Sequence, residues 1–123
     1  AEPRDFLARL REALAPGGRI IIEVPSAAEP LVSLYDIPAF KSFYFQAMHP
    51  FVYSEQALRI LLGEAGLAIE QIKYKQRYGL ANHLQWLKEG LPGGSSEFRA
   101  IFAGAAEREY VRALEASGRT DTL

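Results

Sequence analysis

Residues 3–14 show apolar positions at helical spacing. Phe6, Leu10 and Leu14 are four residues apart, and charged side chains occupy the opposite positions. A one-sided apolar stripe predicts a surface helix that packs one face on a core. Pro3 suits the first turn of that helix because its missing N–H needs no partner there.

A short apolar strand is predicted after the turn Pro16–Gly18. Residues 20–24 are apolar at every position but Glu23, and Pro25 ends the run. A continuous β-branched run is typical of a parallel strand buried on both faces by helices. Helix, short loop and strand make half of a βαβ crossover, so we expect a preceding strand that this sequence does not contain. Because a buried charge needs a partner, we expect Glu23 to face the active-site edge or a neighbouring helix.

Aromatic side chains are concentrated in residues 26–53, which also contain three prolines. The segment follows the carboxyl end of the predicted strand, where ligands bind in open α/β sheets. Two interpretations stay open. The segment forms an aromatic lid or substrate wall, or it forms a pair of short helices that patches the core.

A second helix and strand are predicted next. Ser54 suits the N-cap and Gly66 the end of the helix. Residues 67–78 then alternate apolar and cationic side chains, which is typical of a strand with one wet face near a sheet edge. The apolar phase changes between Ile69 and Ile72, and this predicts a bulge.

Two further helices and the start of a last strand complete the chain. The first helix carries a leucine stripe from Leu80 and ends at Pro92-Gly93-Gly94. The second begins at Ser95 or Ser96 and runs to about Ser117 as one element. Residues 119–123 are interpreted as the opening of a strand.

Composition and net charge exclude several classes of function. The chain has 123 residues, which is one modest domain, and its net charge of −1 gives no basic field for nucleic acid or an anionic membrane. It has no cysteine, which excludes disulfides and thiolate metal sites and fits a reducing cytoplasm. No apolar run long enough to span a bilayer and no signal peptide is found. The chain begins without methionine, so we expect a processed or truncated piece.

The ordered motifs resemble a known family. They are Leu14-Ala-Pro-Gly-Gly before a strand that ends in proline, the aromatic segment, His49-Pro-Phe-Val-Tyr-Ser before a helix, and Ala65-Gly66-Leu67 before a strand. This order resembles the C-terminal half of a class I S-adenosylmethionine-dependent methyltransferase. The resemblance implies an α/β fold, the C-terminal part of a Rossmann-like sheet, with helical insertions and with the N-terminal cofactor-binding strands absent. Thr120–Leu123 would then open the seventh strand, which lies antiparallel.

One partial domain with five parts follows from these predictions. The parts are 1–25 (helix and buried strand), 26–53 (aromatic insertion), 54–78 (helix and strand), 79–118 (helical insertion) and 119–123 (start of the last strand).

The resemblance implies methyl transfer from S-adenosylmethionine to a small-molecule acceptor, with this chain on the substrate side. The family binds its cofactor at a Gly-rich loop after the first strand and at an acidic residue that ends the second. Neither is present, since both Gly pairs follow helices and are interpreted as C-caps. We therefore expect no cofactor-binding residues here, and an isolated chain that is inactive and binds S-adenosylmethionine poorly or not at all.

His49 is the candidate general base, because the ordinary pKa of histidine lies near neutral and the residue follows the aromatic segment. The alternative is a histidine that bonds backbone and fixes its loop. The candidate substrate-binding residues are Tyr35, Tyr44, Tyr53, Arg77 and His83. Each also has a structural interpretation: core filling for the tyrosines, a solvated strand face for Arg77, and a solvated or capping pair with Asn82 for His83. The histidine spacing gives no metal-binding pattern.

A function from another class also fits. Exposed sheet edges at both ends of the chain would pair with another polypeptide, which describes a non-catalytic interaction or dimerisation module, including a homodimer.

Overall fold

The protein is mostly helical. The computed structural model describes residues 2–46, 48–93 and 96–123, with 52% of the chain in helices and 4% in bridged strand residues. The helices in these ranges are α1 (Pro3–Ala13), α2 (Pro30–Ser33), α3 (Pro38–Tyr44), α4 (Glu55–Glu64), α5 (Leu80–Glu89), α6 (Ser96–Phe102) and α7 (Ala105–Ser117). No sheet is formed in the described residues. The predicted α/β fold with a Rossmann-like sheet is therefore wrong.

The backbone pairing shows why no sheet forms. Val24 and Leu123 exchange two backbone hydrogen bonds of 3.1 Å, and Lys75 and Thr122 exchange two of 3.0 and 3.1 Å. The bridges are antiparallel, as expected for the last segment, but they are isolated. A ladder needs several consecutive pairs, and the pairing on both sides is confined to residues 121–123.

The segment at residues 19–24 is not buried on both faces, which corrects a second prediction. Its exposure alternates, with Ile20, Ile22 and Val24 half-buried and Ile21 97% exposed. Only one helical layer covers it, so the odd-numbered side chains stay in solvent. Glu23 is one of them, and its carboxylate pairs with the Arg77 guanidinium at the surface.

Helices α1 and α4 form that layer. Leu7 of α1 packs with Leu58 and Leu62 of α4 in a buried cluster. The partly buried side chains that pack against this cluster include Ile22, Val24, Leu67, Ile69 and Leu123. Ser54 caps α4 as predicted, since its Oγ accepts from the Ala57 N–H at 3.1 Å. The layer therefore fixes one face of all three extended segments.

A second cluster joins α2 and α3 to α5. Leu31, Phe40, Tyr44 and Trp86 are its buried members, and the Phe40 and Trp86 rings meet edge to face at 5.0 Å. The aromatic segment thus contains short helices that patch a core, which is the second of its two interpretations.

The long helix predicted to reach Ser117 is two helices. α6 ends at Phe102 and α7 begins at Ala105, because Gly104 between them adopts φ 74° and ψ −119°. Residues other than glycine rarely adopt this backbone conformation. Gly94, which was predicted to help end the preceding helix, and Ser95, one of the two predicted starts of this one, lie outside the described residues.

Alanine substitutions at two glycines test the assigned helix break, and we expect them to change the free energy of unfolding in opposite directions. A Cβ added at Gly104 or at Gly63, inside α4, meets no atom within 4 Å. The two substitutions therefore differ only in the backbone conformation that alanine has to adopt. We expect Gly104→Ala to lower the free energy of unfolding by about 1–3 kcal/mol. Gly63→Ala should raise it by about 0.5–1 kcal/mol, since alanine is the better helix former. Urea unfolding of the three proteins checks both signs, and a stabilising Gly104→Ala would contradict the assigned break.

Candidate functional site

An open cleft of about 310 Å³ lies at the end of the first extended segment. It is lined by Pro3 and Phe6 of α1, by Val24 and Pro25, and by residues 48–51 with Tyr53. Phe6 was predicted to face the core but is largely exposed here. Two of the predicted site residues, His49 and Tyr53, therefore share one cleft.

His49 is held through one ring nitrogen. Its Nδ1 lies 3.1 Å from the backbone oxygen of Tyr44, near the end of α3, and its backbone N–H donates to the Gln46 oxygen at 2.8 Å. A carbonyl oxygen only accepts, so Nδ1 carries the proton in this contact. In the neutral ring, Nε2 is then the acceptor, and no group in the described residues hydrogen-bonds it. The backbone contact expected of a structural histidine is present, and it also leaves a basic nitrogen free.

Tyr44 lies beneath His49 rather than in the cleft. The side chain is buried, its ring lies 5.2 Å from the His49 ring at 62°, and its hydroxyl donates to the Ser26 oxygen at 2.9 Å. Burial raises the pKa of this phenol, with a further rise from Glu29 and Asp121. Tyr44 therefore stays protonated and ties the His49 segment to the end of the first extended segment.

Tyr53 is placed by backbone pairing. Its N–H donates to the Pro25 oxygen at 3.0 Å, and its own oxygen accepts from Ala27 at 2.8 Å. Its ring lies nearly parallel to Phe51, at 25° and 6.3 Å between centroids. Burial raises the pKa of the Tyr53 phenol. The cleft thus has an aromatic wall made by two rings.

Tyr35 and His83 lie in a separate buried polar cluster. The Tyr35 hydroxyl is 2.7 Å from the Tyr110 hydroxyl, which is 2.6 Å from His83 Nδ1. The other nitrogen, Nε2, lies 3.4 Å from the Gln76 amide nitrogen. Since Gln76 Oε1 accepts from the Asp121 N–H at 3.0 Å, the amide nitrogen is the donor toward His83. The cluster therefore runs without a break from α2–α3 to the C-terminal segment.

His83 is neutral in this cluster. The residue is fully buried, and burial lowers its pKa to about 4. A proton on Nε2 would also point at the donor amide of Gln76. The predicted solvated or capping role beside Asn82 does not describe this histidine.

Two buried acids were not singled out from the sequence. Glu29 is 2% exposed, and its Oε1 accepts from the Leu31 N–H at 2.8 Å as the N-cap of α2. Burial raises the pKa of Glu29 to about 7, partly offset by this hydrogen bond, and Asp121 adds a smaller rise. The Asp121 carboxylate accepts from the Arg77 and Tyr78 N–H groups at 2.8 and 3.1 Å. The Glu29-Pro30 pair at a helix start was the available signal for Glu29, and Asp121 has none.

Arg77 does not reach the cleft. Its guanidinium pairs with Glu23 on the surface, and both side chains are more than half exposed. The structure thus groups His49, Tyr44 and Tyr53, places Tyr35 and His83 in the buried cluster, and sets Arg77 apart.

The first glycine pair does not lead directly into a helix. Gly17 and Gly18 follow α1, and the next helix starts only at Pro30. A Cβ at Gly18 would lie 2.8 Å from the Ala15 oxygen. The turn that follows α1 therefore requires glycine at this position. No group of three acidic, histidine or cysteine side chains that suits a metal occurs in the described ranges, and none of their helices is long and apolar enough to span a membrane.

Glu29 and His83 predict opposed pH dependences of stability. His83 binds its proton more weakly when folded, so its contribution to stability rises by about 3 kcal/mol as pH rises from 4 to 6.5. Glu29 binds its proton more tightly when folded, so its contribution falls by about 3 kcal/mol as pH rises from 4.5 to 7.

Glu29→Gln should therefore gain stability relative to the parent protein as pH rises, and His83→Gln should lose it. Denaturant unfolding at several pH values between 4 and 7 measures both differences. Two differences of the same sign would contradict the assigned protonation states.

Comparisons with protein-family models, curated proteins and solved structures give no match for this chain.

Proposed function

We propose that this chain forms the acceptor side of an S-adenosylmethionine-dependent methyltransferase that acts on a small molecule, with His49 as general base. The observation that carries the proposal is that His49, which lines the cleft, uses Nδ1 toward the Tyr44 oxygen, so that Nε2 has no hydrogen-bond partner in the described residues. The methyl donor is bound by residues other than the described ones. Since the chain has no cysteine, we place the enzyme in the cytoplasm.

The position of the cleft supports this role. It lies where the first extended segment ends at Val24 and Pro25, and it includes part of the aromatic segment that the sequence predicts as a substrate wall. The antiparallel bridges of Thr122 also agree with the direction that the resemblance implies for the last segment.

The chemistry asked of His49 is removal of one proton. An acceptor hydroxyl that lies on Nε2 becomes a better nucleophile as its proton moves to the ring. The Tyr44 oxygen stabilises the ring after it is charged, because Nδ1–H then donates a charge-assisted hydrogen bond. Tyr44 is itself pinned through Ser26, so the ring is oriented before the acceptor arrives.

Substituting His49 by asparagine separates its two roles. The asparagine amide can still donate to the Tyr44 oxygen, but it provides no base at the Nε2 position. We expect His49→Asn to lower kcat about 100-fold or more in the natural gene product. Transfer of labelled methyl groups from S-adenosylmethionine to a panel of small alcohols, phenols and amines measures the rate.

Gln46→Ala is the matched control, because this exposed side chain lies in the same turn. Its rate should equal that of the parent protein. A rate within threefold of the parent for His49→Asn would remove His49 as the base.

A second candidate function is dimerisation through the edge of residues 19–23. Val24 uses its N–H and C=O toward Leu123, so by the alternation of extended backbone the groups of Arg19, Ile21 and Glu23 point to the other side. No hydrogen bond to these three backbone positions occurs in the described residues. The edge is therefore open to another strand.

The side chains on this edge are self-complementary. In an antiparallel pair of two copies centred on Ile21, Arg19 of one copy lies opposite Glu23 of the other. The same register brings together the backbone groups that lack partners. Arg19 and Glu23 hold exposed ion pairs with Glu70 and Arg77, which the partner would share or replace.

Sedimentation equilibrium tests the second candidate. We expect Ile21→Lys to give a monomer, because two lysines would meet at the dimer centre. Arg19→Glu should weaken the dimer, and the exchanged pair Arg19→Glu with Glu23→Arg should restore it. Ile101→Lys, at another exposed apolar position, is the control. A parent protein that stays monomeric at millimolar concentration would exclude this function.

A further inference from the structure

We propose that the cleft binds a small neutral phenol, whose hydroxyl donates to His49 Nε2 while its ring packs on the Phe51–Tyr53 wall. This inference rests on the proposed function, because it takes His49 as the base for the acceptor. It adds the chemical class of the acceptor, which the sequence leaves open.

The walls of the cleft favour an uncharged ligand. Of the described residues that line it, none carries a carboxylate, an ammonium or a guanidinium group. A phosphate or carboxylate on the ligand would lose water without gaining a counter-charge. An amine arrives as a cation at neutral pH, and none of these lining residues offers it a carboxylate. Neutral ligands do not have this desolvation cost.

The apolar lining favours an aromatic ring. Met48 is 82% exposed, and Phe6 and Phe51 are about half exposed at 54% and 47%. A flat ring that covers these side chains removes apolar surface from water on both partners. The Phe51 and Tyr53 rings stack on each other and both line the cleft, so a further ring can pack against them.

The single base favours a phenol over an aliphatic alcohol. A phenol has a pKa near 10, as the tyrosine side chain shows. A neutral imidazole can therefore accept the phenol's proton while the hydroxyl oxygen acts as the nucleophile. An aliphatic alcohol is a far weaker acid. No second acid, base or metal group lines the described part of the cleft to compensate.

The size of the cleft limits the ligand to one or two rings. A volume of about 310 Å³ is at the lower end of the range for ligand sites, roughly 300–1,000 Å³. The cleft is open on one side, so affinity should be modest, with a dissociation constant on the order of 1 mM for a single ring.

The two histidines allow a direct test by proton NMR on the full chain. His49 lines the cleft and His83 is fully buried outside it, so His83 is an internal reference. We expect p-cresol to shift the His49 ring protons in a saturable way and to leave those of His83 unchanged. Neutral cyclohexanol, anionic 4-hydroxybenzoate and cationic tyramine should each bind at least about tenfold more weakly.

Phe51→Ala should weaken p-cresol binding severalfold. Leu87→Ala, which truncates a similarly exposed side chain on α5, should leave it unchanged. Absence of a saturable His49 shift, an equal shift of His83, or equal binding of the charged ligands would overturn the proposal.

Turnover separates this inference from the proposed function. In the natural gene product, the same ligands are offered as methyl acceptors. Methylation of a charged acceptor in preference to p-cresol would leave the proposed function standing and overturn the phenol assignment. Binding of p-cresol as described, with no methyl transfer to any acceptor, would support the cleft assignment and contradict the proposed function.

Discussion

Hydrogen bonds to residues 121–123 join the extended segments of the molecule to one another. This segment lies between the two extended segments, with Leu123 bonded to Val24 and Thr122 bonded to Lys75. The Asp121 oxygen accepts from the Ser26 N–H at 2.9 Å, and the Asp121 carboxylate accepts two more N–H groups. Three residues therefore join parts of the chain that are far apart in sequence.

The cleft and the buried polar cluster both depend on this join. Ser26, which Asp121 holds, accepts from the Tyr44 hydroxyl, and Tyr44 in turn holds His49. Gln76, which donates toward His83, is fixed by the Asp121 N–H. One short segment thus orients a candidate base on the surface and a neutral histidine in the interior. Because every member of the cluster is hydrogen-bonded, its polar groups can be buried without a large desolvation cost.

The helices could be predicted from the sequence more readily than the pairing of extended segments. The apolar stripe and Pro3 placed α1, and Ser54 placed the start of α4, because these signals act within a few residues. The predicted sheet was wrong because the same apolar runs suit a regular strand or an extended segment with a single bridge. Ile21 shows the difference, since its neighbours decide whether it is covered, and here they leave it exposed. Gly104 ended a helix where the apolar stripe continued, and glycine alone did not show which φ it adopts.

The candidate site, too, could be predicted only in part from the sequence. His49 followed an aromatic segment and could be named from the sequence, while its free nitrogen became apparent only from the Tyr44 contact. Glu29, Asp121 and His83 acquired their properties from burial that no local pattern records. The sequence by itself determined helices α1 and α4 with the Ser54 cap, the absence of cysteine and a net charge of only −1, since these follow from local chemistry and composition. The tertiary structure alone decided which residues pair across the chain and which acids and bases lose water, because long-range contacts set both the backbone pairing and the desolvation.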